Sequence, residues 1–216
     1  MSNFPKRIKK AISKRIFRTG HQAKDRERTL AKWELIRSNL PDEPGSLLDI
    51  GCAEGFYVRE AANLGWVAWG VEGKRLPTVK HSLKKPIRGR SGDVFFSVGV
   101  IDDQNVKHLP NFDVILLLST FHKMCKVFGL ERAYPIFDGL LKTCNKALFF
   151  ETASRNSRYG DNVQLFEKEY DVESIQSWVE ELVSRTSGWN VRYIGKTKYT
   201  GVNRHRLMFL LEKVAP

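Results

Sequence analysis

Residues 46–60 read SLLDIGCAEGFYVRE: an acid, Asp49, then a turn with Gly51 and Gly55, set between an apolar run and a helical pattern. A glycine turn lets backbone approach a ligand, and the free N–H groups of the helix start face it. The order Gly51, Ala53, Gly55 does not reproduce G-x-G-x-x-G, the pattern that cradles a dinucleotide pyrophosphate. A carboxylate just ahead of the glycines repels a pyrophosphate and suits a cation. Glu72 ends the next apolar run, near the roughly 20-residue interval at which such folds place an acid on a ribose diol. A nucleoside with a cationic tail satisfies both acids. S-adenosylmethionine has an ammonium, a sulfonium and no phosphate.

A second group of reactive side chains follows the most apolar run, FDVILLLST. Ser119, His122 and Lys123 emerge from it in the segment LSTFHK. In open α/β folds, ligands bind at this end of the strands. Methyl transfer from a sulfonium is an in-line displacement, helped mainly by positioning. A hydroxyl acceptor benefits from a base near neutral pKa, and His122 is the candidate. A phosphate oxygen needs no base but does need cations, and Lys123, Arg155, Arg158, Arg204 and Arg206 are available, the arginines read as loop residues. There is no N-P-P-Y or D-P-P-Y segment of the kind used on amino groups. Cys52, Cys125 and Cys144 form no C-x-x-C pair, so a metal site, a disulfide framework and pyrimidine carbon-5 chemistry are not expected.

These groups need elements to carry them. Residues 23–40 read as a helix, with Leu30, Trp33 or Glu34, and Arg37 giving an amphipathic pattern, stopped by PDEPG. SLLDIG, WVAWGVEG, DVFFSVGVI, FDVILLLST and KALFFETA read as buried strands. FYVREAANLG, ERAYPIFDGLLKTC and DVESIQSWVEELVSRTSG read as helices, the second despite Pro135. WNVRYIGKTKYT and HRLMFLLEKV read as a final pair of strands able to form a hairpin. Strands alternating with helices predict an α/β, doubly wound, mostly parallel sheet whose last strand is antiparallel, with helices at the N-terminus.

The segment DIGCAEG, with Glu72 and the late strand pair, resembles the class I S-adenosylmethionine-dependent methyltransferases, whose first motif is written D-x-G-x-G-x-G. Ala53 stands for the middle glycine. The resemblance implies a Rossmann-like seven-stranded sheet and S-adenosyl-L-methionine as cofactor. It places Asp49 and Gly51 near the methionine end, with Cys52, Ala53, Glu54, Gly55 and Phe56 also at the cofactor. Glu72 falls at the ribose, with Ile101 and Asp102 at the adenine, and Gly73 and Ser119 are further cofactor-binding residues. The stretch LSTFHKMCKVFGLERAYPIFDGLLKTCNKALFFETA is similar to the methyltransferase domain of bacterial O-antigen chain-terminating enzymes, which carry L-S-x-F-H, a helix, and a strand ending in E-x-A. Those enzymes methylate a terminal phosphate of a glycan and also contain a kinase domain, for which these 216 residues have no room. The implied acceptor is a glycan or phosphorylated glycan in surface polysaccharide synthesis, with His122, Lys123, Arg155 and Arg204 as the acceptor-side residues.

The bulk numbers fit this reading. The chain has 216 residues, 42% hydrophobic and 28% charged, which suits one globular domain with a full core. It divides into a basic segment, 1–22, and a domain, 23–216. The net charge is +12, and residues 1–22 hold seven lysines and arginines and no acid. Phe4, Ile8, Ile12 and Ile16 recur every fourth position, giving an apolar stripe beneath a basic face over residues 4–18. Such a helix can rest on an anionic membrane, grip nucleic acid phosphates or dock on its own domain. No transmembrane run or secretory signal is expected, so the reading is cytoplasmic, peripheral on the inner membrane face. Two rivals stay open: an RNA methyltransferase, for which no RNA-binding module is visible, and a cofactor-binding module without catalysis.

Overall fold

The computed structural model describes residues 26–73, 91–153, 171–199 and 204–214. The basic segment 1–22, its boundary with the domain, Arg155 and Arg158 lie outside the described residues.

Seven strands form one sheet in the order β3-β2-β1-β4-β5-β7-β6. The first five, β1 (Ser46–Ile50), β2 (Val67–Glu72), β3 (Val94–Val98), β4 (Phe112–Leu118) and β5 (Cys144–Glu151), run parallel. The last two are β6 (Trp189–Tyr199) and β7 (Arg204–Lys213). β7 enters between β5 and β6 and is antiparallel to both, as the hairpin reading predicts. The described helices are α1 (Arg26–Arg37), α2 (Phe56–Asn63), α3 (Phe121–Phe128), α4 (Leu130–Thr143) and α5 (Val172–Ser184). Among the described residues, no helix is long and apolar enough to cross a membrane.

Strand side chains alternate between faces, so each sheet face has its own core. Leu47, Val114, Leu116, Phe149, Met208 and Leu210 pack under α1 and α2 through Trp33, Ile36, Val58 and Ala61. Leu48, Ile115, Leu117, Phe150 and Phe209 pack under α3, α4 and α5 through Phe121, Phe137 and Val179. Asp49 is two residues beyond Leu47, Glu151 two beyond Phe149, and Arg206 two before Met208. The same alternation therefore sends all three toward the face covered by α1 and α2.

Several expectations change. α1 ends at Arg37 and not at Leu40, and its buried stripe is Thr29, Lys32, Trp33 and Ile36 rather than Leu30, Trp33 or Glu34, and Arg37. Leu30 is exposed, while Lys32 is buried because a carboxylate waits for its ammonium. β3 ends at Val98, which leaves Ile101 in a loop. HKMCKVF, read as polar groups leaving a strand, is part of α3. Arg204 and Arg206 lie on β7 and not in the preceding loop, and Arg206 is buried. Cross-strand pairing sets Arg206 beside Thr197.

Candidate functional site

The turn after β1 is built from left-handed backbone. φ is +77° at Gly51, +49° at Ala53 and +72° at Gly55. An L-residue pays about 1 kcal/mol or more for that conformation, so Ala53 sits where a glycine would be unstrained. The motif's middle position thus keeps its shape with a side chain present. The turn is anchored on β2: the N–H groups of Gly51 and Cys52 donate to the Val71 carbonyl, at 2.8 and 3.1 Å. Ala53 N donates to Glu72 Oε2 at 3.0 Å. One oxygen of the Glu72 carboxylate therefore holds the turn.

Two glycines are also required by space. A Cβ on Gly51 would stand 2.6 Å from Thr120 Oγ1, and one on Gly55 would stand 2.3 Å from Phe96 Cε1. The first contact brings the Asp49 turn against the turn between β4 and α3. There Thr120 Oγ1 lies 3.1 Å from the Ile50 carbonyl and 3.0 Å from that of Leu118.

Asp49 is 2% exposed, and its Oδ2 is buried without a hydrogen-bond partner among the described residues. Burial raises its pKa to about 7; Lys32 pulls it down and Glu72 pushes it up. A carboxylate so placed lacks a partner on one oxygen among the described residues. An ammonium or sulfonium at the turn would supply one, so the residues fit a cationic ligand. Glu54 and Phe56 are half-buried at the helix start and Gly73 is exposed after β2. Ile101 is buried. Asp102 Oδ1 accepts from Gln104 N at 3.0 Å and Asn105 N at 2.9 Å, so one of its oxygens caps a turn. Cys52 is buried and its thiol is raised, by burial first and then by Asp49, which makes it inert.

His122 and Lys123 open α3, and Lys123 is exposed. Burial lowers the His122 pKa to about 4, with Arg206 and Lys123 adding to the fall and Glu151 opposing it. A base near neutral pKa is therefore not what the described surroundings provide: the imidazole is uncharged at neutral pH and only weakly basic. The reason is its burial beside two cations.

Glu151 was not singled out as a site residue from the sequence. It is 1% exposed at the end of β5. Lys32 Nζ lies 2.7 Å from its Oε2 and 2.6 Å from its Oε1. The hydroxyls of Ser119 and Thr197 donate to it, and Arg206 Nη1 lies 3.7 Å away. Burial works against the Glu151 anion, but Lys32, Arg206 and the donors outweigh it and hold its pKa low. Burial also lowers the Lys32 pKa against the pull of Glu151. The short contacts favour the ionised pair. Ser119, expected beside the cofactor, belongs to this network and has φ +54°. The available signal was an acid ending an apolar strand. The main chain of Arg204 pairs with Tyr199 at the far end of β7.

No protein-family model matches the chain, and no curated protein sequence does so significantly. Solved structures do match. The bifunctional kinase–methyltransferase WbdD aligns over 89% of this chain and 42% of its own, at 20% identity and a TM-score of 0.61. This chain thus spans less than half of that protein. Magnesium protoporphyrin IX methyltransferase (ChlM) from Synechocystis PCC 6803, solved with bound S-adenosylmethionine, aligns over 93% of this chain and 88% of its own. Its identity is 14% and its TM-score 0.60. The plantazolicin methyltransferase BamL, solved with S-adenosylhomocysteine, aligns over 96% and 91%, at 13% identity and a TM-score of 0.57. With strand order β3-β2-β1-β4-β5-β7-β6, the chain has the Rossmann-like fold that these methyltransferases share.

Proposed function

We propose that the protein is an S-adenosylmethionine-dependent methyltransferase acting on an oxygen of a glycan or phosphorylated glycan. The observation that carries the reading is Asp49: a buried carboxylate with an unsatisfied oxygen beneath a left-handed glycine turn. Asp49 and the turn 51–56 would hold the methionine end of the cofactor. The Glu72 carboxylate would accept from the ribose, with Gly73 beside it. Ile101 would face the adenine, and the second oxygen of Asp102 would take its amino group. Bound there, the cofactor supplies a methyl group on a positively charged sulfur.

The acceptor side favours an anionic oxygen. His122 is too weakly basic in its described surroundings to draw a proton efficiently from a hydroxyl. Arg206 and Lys123, which add to the effect of burial on His122, suit a phosphate, which needs no base. Arg155 and Arg204 are further candidates for that contact. The resemblance to the chain-terminating enzymes supports the glycan. The basic residues 4–18 would hold the protein near a lipid-linked acceptor on an anionic cytoplasmic membrane face.

Methyl transfer from radiolabelled S-adenosylmethionine into a lipid-linked glycan fraction, with and without phosphatase treatment, tests the acceptor. We expect labelling that phosphatase pretreatment abolishes, a fall of at least tenfold in Arg206→Gln, and a smaller one in His122→Ala. Label entering RNA alone would overturn the glycan assignment. Labelling that survives phosphatase and collapses in His122→Ala would identify a hydroxyl.

A further inference from the structure

Glu151 gathers partners from four separate places in the fold: the donors Lys32 on α1, Ser119 in the turn before α3 and Thr197 on β6, and the Arg206 cation on β7. For stability alone, a buried ion pair is replaceable, since apolar side chains of similar volume often serve as well or better. Apolar side chains cannot aim a hydroxyl or a guanidinium. Ser119 holds left-handed backbone at φ +54° three residues before His122, and its hydroxyl is tied to Glu151. Non-glycine residues keep such backbone where the surroundings over-determine it, and these places gather at functional sites. Arg206 Nη1 lies 3.7 Å from the same carboxylate oxygen that Ser119 contacts, and its charge acts on His122.

We propose that Glu151 is a positioning residue: its carboxylate, neutralised by Lys32 of α1, fixes both the Ser119 turn that delivers His122 and the Arg206 guanidinium beside it. α1 is then part of the reaction site and not merely a cover on the sheet. The assignment rests on the reading of His122 and Arg206 as acceptor-side groups of a methyltransferase. The charged groups acting on the His122 ring are Lys123 on its own helix, Glu151 on β5 and Arg206 on β7.

The test follows the ring of His122 by NMR in the full chain with carbon-13-labelled histidine, its resonance assigned with His122→Gln. Ser119→Ala removes one hydroxyl and should move or broaden the His122 resonance. Glu151→Gln, which frees Lys32 and Arg206, should do so more strongly. The double variant Lys32→Met/Glu151→Leu, which removes the Lys32 charge together with its partner, should lower Tm less than Glu151→Leu alone and still displace the ring signal, which a purely structural network would not do. Unmoved His122 resonances in folded Ser119→Ala and Glu151→Gln, with only Tm lowered, would overturn the proposal. The parent chain is titrated with S-adenosylhomocysteine in parallel. Absence of binding would remove the methyltransferase reading and this role together, whereas binding with unmoved resonances would remove the positioning role alone.

Discussion

At the scale of the residue, Asp49 links burial to ligand choice. Its carboxyl titrates near pH 7 because burial disfavours the anion. A cationic ligand favours the anion, so binding below pH 7 must release a proton. Affinity for S-adenosylmethionine should therefore fall as pH drops below 7, by up to about tenfold per unit, and level off above it. Calorimetry in buffers of different ionisation enthalpy checks the released proton, and Asp49→Asn should abolish the dependence. The same shift has the opposite sign for folding. A carboxyl with raised folded-state pKa makes the native state bind the extra proton, so ligand-free stability declines as pH rises from about 4 to 7. Urea unfolding across that window should show a slope that Asp49→Asn reduces. Asp49 was legible from its place before two glycines. Its missing partner was not, because burial depends on α1 and on strands far away in sequence.

At the scale of the element, the glycine turn and α1 carry separate predictions. Gly55→Ala adds a Cβ 2.3 Å from the Phe96 ring in backbone that an L-residue resists. It should lower stability by about 2–4 kcal/mol, read by urea unfolding, through strain and overpacking together. The Lys32–Glu151 pair makes α1 sensitive to acid. Glu151 has a depressed folded-state pKa, so its stabilisation is present above about pH 4.3, the ordinary value for a glutamate, and is lost as pH falls through the folded value. Acid unfolding should therefore lose steepness below pH 4 in Glu151→Gln. Strand and helix positions were mostly legible, since period-2 and period-3.6 patterns survive in single segments. Two features were not. α3 follows directly on an apolar strand, so no change of period announces it. Lys32 looks like a solvent residue in a helical pattern, because its partner is 119 positions away.

At the scale of the whole molecule, topology brings the two halves of the site together. β1 and β4 are neighbours in the sheet, and Thr120 closes the gap between their turns. Asp49 and α3 are thus fixed to one edge, where ligands of open α/β sheets bind. The seven-strand order was legible through the family resemblance, since one sequence says little about which strands pair. The formal charge of +12 also acts at this scale. If residues 4–18 bind an anionic surface, flotation with phosphatidylglycerol-containing liposomes should succeed at low salt and fall sharply by 0.5 M salt. A Lys6/Lys9/Lys10→Glu variant should float poorly at any salt, and unchanged flotation would exclude this segment as the anchor. The most direct test of the account remains the donor. Isothermal titration at pH 7.5 should show S-adenosylmethionine and S-adenosylhomocysteine binding to the parent chain with micromolar affinity, weakened at least tenfold in Asp49→Asn. No heat at high micromolar ligand, or equal affinity in Asp49→Asn, would contradict it.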